Sequence, residues 1–117
     1  MRYMLLITGD ENNLNNLPEP KLSQRHAAWG TYTQALVDSG KLRGGERLRP
    51  AASATTLRLD GGRRLLSDGP FAETKEQLGG YYIVEADNLD QAVDMAATMP
   101  HLEDGGGVEI RPIWELS

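Results

Sequence analysis

The order of apolar patterns along the chain is the feature that most restricts its fold. Residues 1–8 form a short, almost continuously apolar run, and residues 81–86 are rich in aromatic and β-branched side chains, so both predict β-strands. A further strand is predicted over residues 108–114. Apolar residues spaced three or four apart predict two amphipathic helices between the strands, over residues 20–40 and from Asn88 to Pro100.

The segments between these elements carry turn and breaker residues. Residues 9–20 contain four Asn and two Pro and predict a loop, because these side chains favour turns over regular backbone hydrogen bonding. Residues 41–50 contain a glycine pair and predict an irregular extended segment or an edge strand. The sequence Asp60-Gly61-Gly62 separates two strand-like runs and predicts a β-hairpin, since these residues tolerate positive φ. A short helix is predicted over residues 72–78.

Together these elements follow the split βαβ plan of a ferredoxin-like α+β fold. A chain of 117 residues is expected to form a single domain over residues 1–117. Two long helices cover only one face of the sheet, so an excess of apolar strand residues predicts a homodimer whose sheets meet around a shared cavity. The residues counted toward that excess are Tyr3, Leu5, Ile7, Tyr82, Val84, Val108 and Ile110.

Composition excludes several functional classes. A net charge of −5 argues against a nucleic-acid partner or an anionic membrane surface. The chain has no cysteine, which excludes disulfides, thiol nucleophiles and thiolate metal sites, and its two histidines lack metal-ligand spacing. Phosphate-loop and serine-hydrolase motifs are absent from the sequence, so we expect no cofactor. The apolar N-terminal run is too short for a signal peptide or a membrane span, and we expect a cytoplasmic protein.

Three stretches resemble the YCII-related family in its DGPF-type branch. The first is ATTLRLDGGRRLLSDGPFAETKE together with its continuation QLGGYYIVEA. The second is PHLEDGGGVEIRP, and the third is DSGKL at the end of the first long helix. The resemblance implies a ferredoxin-like dimeric α/β barrel. It also implies a small-molecule site with a histidine and an aspartate, and many DGPF-type members are encoded beside alternative sigma factors. Family membership alone does not determine an activity.

The family's site residues match this chain only in part. The aspartate before the helix-ending glycine corresponds to Asp38, with Gly40 after it. The histidine position falls on Trp29, which becomes a candidate ligand-binding residue, while His26 lies one helical turn earlier on the same stripe. His26 and Asp38 are therefore the candidate catalytic residues. They are 12 residues apart in sequence, and a straight helix would separate them by about 18 Å. A helix-packing role for His26 and an exposed helix end for Asp38 are the structural alternatives.

The Asp-Gly-Pro-Phe corner supplies further candidates for binding a ligand. Pro70 fixes φ and Gly69 permits unusual backbone angles, so the corner is expected to place Phe71 at the wall of the cavity. Asp68 is expected to hold the corner by accepting backbone N–H groups. Tyr82 is a candidate because Tyr81 and Tyr82 point to opposite faces of their strand. His101 is interpreted as a surface residue.

Two functional classes remain open from the sequence. The first is a protein that binds a small organic molecule in the dimer cavity, with a possible link to sigma-factor regulation. The second is a cofactor-independent lyase or isomerase, in which an Asp or His moves a proton on a small unsaturated or cyclic acid. No metal ligands are assigned in either case.

Overall fold

A four-stranded antiparallel sheet forms the body of the protein in a computed structural model, which describes residues 1–72 and 74–115. The six strands are β1 (Arg2–Gly9), β2 (Leu42–Arg47), β3 (Thr55–Asp60), β4 (Arg63–Asp68), β5 (Gln77–Glu85) and β6 (Gly107–Pro112). The helices are α1 (Glu11–Asn15), α2 (Lys21–Asp38) and α3 (Leu89–Ala96), with 3₁₀ turns at Ala51–Ser53 and Pro100–Asp104. The main sheet has the order β2-β5-β1-β6, and β3 and β4 form a separate hairpin. The ferredoxin-like α+β fold predicted from the sequence is confirmed.

One face of the sheet packs against α2 and α3 and forms the core. Tyr3, Leu5 and Val84 of this face are buried together with Tyr32 and Leu36 of α2. Ala92, Ala96 and Met99 complete the core from the side of α3. The removal of these apolar side chains from water is the main stabilising contribution to the fold.

The apolar residues counted as an excess all lie on this covered face. Tyr3 pairs with Val84, and Leu5 pairs with both Tyr82 and Ile110. Ile7 likewise pairs with Val108. Directly paired residues of neighbouring strands point to the same side of a sheet, so the sequence argument for a bare face built from these residues was wrong. The other face carries a smaller half-buried apolar group, namely Met4, Leu6, Tyr81 and Ile83.

Both long helices begin and end near the predicted positions. Asn88 caps α3, because its side chain accepts a hydrogen bond from the Gln91 backbone N–H at 2.9 Å. The Gln91 side chain in turn accepts a hydrogen bond from the backbone N–H of Asp87 at 2.8 Å. This resembles a capping box, except that the donor is the residue before the N-cap and not the N-cap itself. None of the helices in the described part of the chain has the length and apolar character needed to cross a membrane.

Two predicted connections differ in the structure. Residues 11–15 of the expected loop form the one-turn helix α1, whose N-terminus is capped by the Asp10 side chain accepting from the Asn12 N–H at 2.9 Å. The helix predicted over residues 72–78 was wrong, since β5 already begins at Gln77 and the described residues before it are not helical; Glu73 lies outside the described residues. Gly79 and Gly80, which follow the predicted helix, lie inside β5. Cross-strand pairing with β1 therefore overrides the local helix preference.

The β3–β4 hairpin, residues 55–68, projects from the body and is called the arm. Its turn is Asp60-Gly61-Gly62, as predicted, and both glycines have positive φ. The base of the arm is held by the Gly69 N–H donating to the Ala54 carbonyl at 2.7 Å and by the Thr56 hydroxyl donating to the Gly69 carbonyl at 2.8 Å. The arm strands themselves are largely exposed to solvent.

Candidate functional site

A pocket of about 470 Å³ opens between α2, α1 and the neighbouring ends of β2 and β5, and is called the α2 pocket. Its lining residues come from one chain, and it is separate from the shared cavity expected between two subunits, which stays a prediction. Most of its surface is apolar. The apolar and aromatic side chains that form it include Ile7, Leu14, Leu17, Leu22, Trp29 and Tyr82.

A row of aromatic rings leads along the pocket side of α2. Trp29 packs edge-on against Tyr32, with ring centroids 5.7 Å apart, and Tyr32 packs against Tyr82 at 5.9 Å. The Tyr32 hydroxyl donates to the Met95 carbonyl at 2.6 Å, and burial raises the pKa of this phenol. The Tyr82 hydroxyl is hydrogen-bonded to Thr33 of α2. These contacts hold the rings of Trp29 and Tyr82 in place where they line the pocket.

The predicted opposite orientation of the two tyrosines of β5 is confirmed. Tyr82 pairs with Leu5 on the covered face, and Tyr81 pairs with Leu6 on the other face. The side chain of Tyr82 therefore lies on the side of the α2 pocket, whereas the sequence analysis expected it in a cavity shared between two subunits.

His101 was placed on the surface by the sequence analysis, and this was wrong. Its side chain is only 4% exposed and its ring stacks against Trp29, with centroids 5.4 Å apart and planes 31° apart. The Nε2 atom lies 2.7 Å from the Gly107 carbonyl oxygen. A carbonyl oxygen only accepts hydrogen bonds, so Nε2 carries the proton of this bond. Nδ1 is buried and has no hydrogen-bond partner among the described residues.

The glycine run after His101 is the sequence signal that was overlooked. A Cβ atom on Gly106 would lie 2.2 Å from Cδ2 of the His101 ring, so the absence of a side chain at this position is what admits the ring. Gly105 has φ +86° and turns the chain back toward β6, which brings the Gly107 carbonyl to the histidine.

A bidentate ion pair closes one end of the pocket. Arg25 donates from Nε and Nη2 to the two carboxylate oxygens of Asp104, at 2.6 and 3.2 Å. Lys21 lies 3.2 Å from the same carboxylate, whose side chain is only 3% exposed. The hydrogen bond from Arg25, with a smaller contribution from Lys21, holds the pKa of Asp104 below its ordinary value although burial opposes this shift. The same hydrogen bond raises the pKa of Arg25.

Two other basic side chains line the α2 pocket without an ion-pair partner among the described residues. His26 is exposed at the rim on α2, and Arg47 lies at the end of β2. Glu46 also borders the pocket, but it pairs with Tyr81, so its carboxylate points to the other face of the sheet. The side chains that face the pocket therefore carry more positive than negative charge.

The structure brings together only some of the residues proposed from the sequence. His26, Trp29 and Tyr82 line the α2 pocket. Asp38 lies at the exposed C-terminal end of α2, where it accepts a hydrogen bond from Gln34 at 2.9 Å, and it does not line this pocket. His26 and Asp38 are thus on one continuous helix and do not form a direct pair.

Asp68 and Phe71 lie at the base of the arm and not in the α2 pocket. Phe71 is 75% exposed, and the Arg58 guanidinium stacks over its ring at 4.3 Å. Gly69 has φ +98°, which confirms the expected backbone corner. The expected role of Asp68 was not observed, because no described residue donates a hydrogen bond to its carboxylate; the corner is closed by backbone and Thr56 contacts instead.

Comparison with known proteins identifies the relatives of this chain. The family described as YCII-related domain matches residues 1–117. An uncharacterised protein of Rhizobium meliloti (strain 1021) is 44% identical over 114 residues, covering 97% of this chain and 92% of that protein. The solved structure of 5-chloro-2-hydroxyhydroquinone dehydrochlorinase (TftG) from Burkholderia phenoliruptrix AC1100, in complex with 2,5-dihydroxybenzoquinone, is similar with a TM-score of 0.57. That likeness covers 100% of this chain and 96% of the other at 17% identity, and it shows a shared fold.

Proposed function

Since the chain belongs to the YCII-related family, we propose that it binds a small, planar organic anion in the α2 pocket. The observation that carries this proposal is the combination of the aromatic rings of Trp29 and Tyr82, held by their neighbours, with the Arg47 guanidinium, which has no ion-pair partner among the described residues. The aromatic rings favour a flat ligand, and the guanidinium favours a carboxylate or an enolate oxygen. In this proposal, the small molecule expected from the sequence binds in a pocket within each protomer.

The charge of the pocket supports an anionic ligand. The whole chain carries a net charge of −5, so positive charge concentrated in one cleft is unusual for its composition. The one carboxylate that faces the pocket, on Asp104, is neutralised by Arg25 and Lys21. A cleft of one sign with low-dielectric walls raises the local concentration of ligands of the opposite sign.

The structural neighbour supports the same class of ligand. Its complex contains 2,5-dihydroxybenzoquinone, a flat oxygenated ring, and the two chains share a fold over nearly their full lengths. The acidic hydroxyl groups of such a quinone ionise readily, so the molecule presents oxygen anions at the edge of a planar ring. This quinone is therefore a suitable first probe for the α2 pocket.

Thermal-shift and calorimetric titrations test the proposal with matched probes. We expect 2,5-dihydroxybenzoquinone and benzoate to stabilise the protein, and the neutral analogue benzamide to do so much less. Arg47→Gln should weaken the binding of both anions by about tenfold, because it removes a charged hydrogen bond of about 1.5 kcal/mol. Arg49→Gln is the control, since Arg49 is exposed and does not line the pocket. Equal binding of benzoate and benzamide would contradict an anion site.

A second candidate function is cofactor-independent lyase or isomerase chemistry on such a ligand. It is favoured by the position of His26 at the pocket rim, where an exposed imidazole can exchange a proton with a bound acid. Asp38 lies outside the pocket of its own chain, so a role for it would require a second protomer. A link to sigma-factor regulation rests on the family resemblance alone.

Hydrogen–deuterium exchange into the ligand distinguishes binding from turnover. Small cyclic and unsaturated acids are incubated with the protein in D₂O and followed by proton NMR. Enzyme-catalysed exchange that is lost in His26→Gln, while calorimetric affinity is kept, would support acid–base catalysis. Exchange that is lost in Asp38→Asn instead would assign the proton transfer to the aspartate. Binding with no exchange by the wild-type protein would favour a binding protein.

A further inference from the structure

Two hydroxyl groups meet in the α2 pocket and are together called the hydroxyl pair. The phenol of Tyr82, on β5, is hydrogen-bonded to the hydroxyl of Thr33, on α2. Both side chains are half-buried and line the pocket. Neither hydroxyl makes a second hydrogen bond to a residue that the structure describes. The pair therefore keeps hydrogen-bonding capacity on the side of the pocket.

The hydroxyl pair holds one proton that its own hydrogen bond does not use. Each hydroxyl carries one proton and can also accept hydrogen bonds. One of the two protons makes the bond between Thr33 and Tyr82, so the hydroxyl that accepts this bond keeps its own proton free to donate. A donor that is partly removed from water needs an acceptor, and a molecule bound in the pocket can supply one.

Arg47 lies beside the hydroxyl pair on the same face of the sheet. Gly45 of β2 pairs with Tyr82, and Arg47, two residues further along β2, pairs with Gly80. Arg47 and Tyr82 are therefore diagonal neighbours, a relation in which two residues lie about 7–8 Å apart. One small ring is thus able to contact the Arg47 guanidinium and the hydroxyl pair at the same time.

The sheet surface between these two groups is made of glycine and is called the glycine floor. It consists of Gly45, Gly79 and Gly80, which all line the pocket. A Cβ atom on Gly45 would lie 2.7 Å from Cδ1 of Tyr82, so this glycine makes room for the phenol ring. A Cβ atom on Gly79 would meet no atom closer than the Ile7 carbonyl oxygen at 3.9 Å, apart from its chain neighbours. Glycines inside strands often mark a place where a ligand approaches the backbone closely.

We propose that the hydroxyl pair binds a second oxygen atom of the ligand and thereby selects rings that carry an acceptor oxygen in addition to their anionic group. Hydroxybenzoates and hydroxyquinones belong to this class, whereas benzoate offers the anionic group alone. A site that hydrogen-bonds a ligand oxygen discriminates against an analogue without it, because the donor is then left unpaired. The inference rests on the proposed function, since Arg47 holds the anionic group.

Calorimetric titration measures the preference for a second oxygen. The preference is the Kd of benzoate divided by the lower of the Kd values of 3-hydroxybenzoate and 4-hydroxybenzoate. We expect a preference of about fivefold, which corresponds to one hydrogen bond of about 1 kcal/mol. Tyr82→Phe should reduce the preference to less than about twofold while the Kd of benzoate changes by less than about threefold. Tyr81→Phe is the matched control and should keep the preference, because Tyr81 points to the opposite face of the sheet.

Thr33 supplies a second pair of variants that does not alter the aromatic rings. Thr33→Val removes the hydroxyl at nearly constant volume and should lower the preference by at least about twofold, whereas Thr33→Ser keeps the hydroxyl and should retain it. A wild-type protein that binds benzoate without any preference, or a preference that persists in Tyr82→Phe, would overturn this inference and leave the proposed function standing. A wild-type protein that binds neither benzoate nor the hydroxybenzoates would overturn both.

Discussion

The Nε2–H of His101 donates to the Gly107 carbonyl at 2.7 Å, and this bond joins the 3₁₀ turn after α3 to the first residue of β6. We expect His101→Phe to lower the free energy of unfolding by about 1–3 kcal/mol, because the carbonyl loses its donor in a buried place. His101→Gln should lose less, since its side-chain amide can replace the Nε2 donor. Urea unfolding at fixed protein concentration measures both. Equal losses would show that packing against Trp29 dominates over the hydrogen bond.

The Arg25–Asp104 pair makes the free energy of unfolding depend on pH in the acidic range. The pKa of Asp104 is lowered in the folded protein, so its contribution is fully present above the unfolded pKa of about 3.9 and is lost as pH falls through the folded pKa. We therefore expect Asp104→Asn to be less stable than the wild type at about pH 7, and the difference to shrink toward about pH 3. Denaturant unfolding at both pH values measures this. A difference that is independent of pH would contradict the assignment to the ionised carboxylate.

Two glycines should respond to alanine in opposite directions. Gly106→Ala should destabilise the protein by more than about 1 kcal/mol, because the new Cβ would meet the His101 ring at 2.2 Å. Gly30→Ala on α2 should stabilise it by about 0.5–1 kcal/mol, since a Cβ there meets no atom within 4 Å and alanine favours the helix. Thermal and urea unfolding of the two variants measure the shifts. A neutral Gly106→Ala would mean that the histidine ring is free to move.

The cap of α3 should contribute a measurable part of its stability. Asn88→Ala removes the acceptor for the Gln91 N–H and should cost about 0.5–2 kcal/mol in urea unfolding. Asn13→Ala in α1 provides a control of the same residue type, because no hydrogen bond to its side chain is observed in the described residues and it is exposed. Equal effects of the two substitutions would contradict a specific capping role.

The corner at the base of the arm should depend on Gly69 and not on Asp68. Gly69 has φ +98°, so Gly69→Ala introduces strain of about 1–2 kcal/mol. Hydrogen exchange of the arm amides, followed by mass spectrometry, should therefore accelerate by about tenfold. Asp68→Ala should change the exchange by less than about twofold, since no described residue hydrogen-bonds to its carboxylate. A large effect of Asp68→Ala would restore the capping role expected from the sequence.

The fold was predictable because its signals are local and agree with one another. The apolar stripe of α2, the cap at Asn88 and the Asp60-Gly61-Gly62 turn each determine their element within a few residues. The helix predicted over residues 72–78 shows the limit of local signals. Gln77 and Leu78 pair instead with β1, which is far from them in sequence. Periodicity separated Tyr81 from Tyr82 correctly, but Tyr82 had been counted toward the bare face, and it lies on the covered face.

The site was predictable only where its residues lie on one helix. His26 and Trp29 share a stripe of α2 and were identified together. The contacts of Arg25 with Asp104 and of Trp29 with His101 join residues far apart in sequence, and no spacing rule reports such pairs. The sequence analysis also divided the apolar strand residues wrongly between the two faces of the sheet. Only the pairing register of the strands shows which residues share a face.

The position of β1 at the centre of the sheet has a consequence for the order of folding. Its two neighbours, β5 and β6, lie in the second half of the chain, and Tyr3 pairs with Pro112. During synthesis β1 therefore has no strand partner until β5 has been made, and its other edge stays unpaired until β6 follows. Contacts of such long sequence separation slow folding, because chain entropy is lost before pairing compensates for it. The early helix α2 and the self-contained arm are the units able to form first, and the sheet then closes in a late, cooperative step.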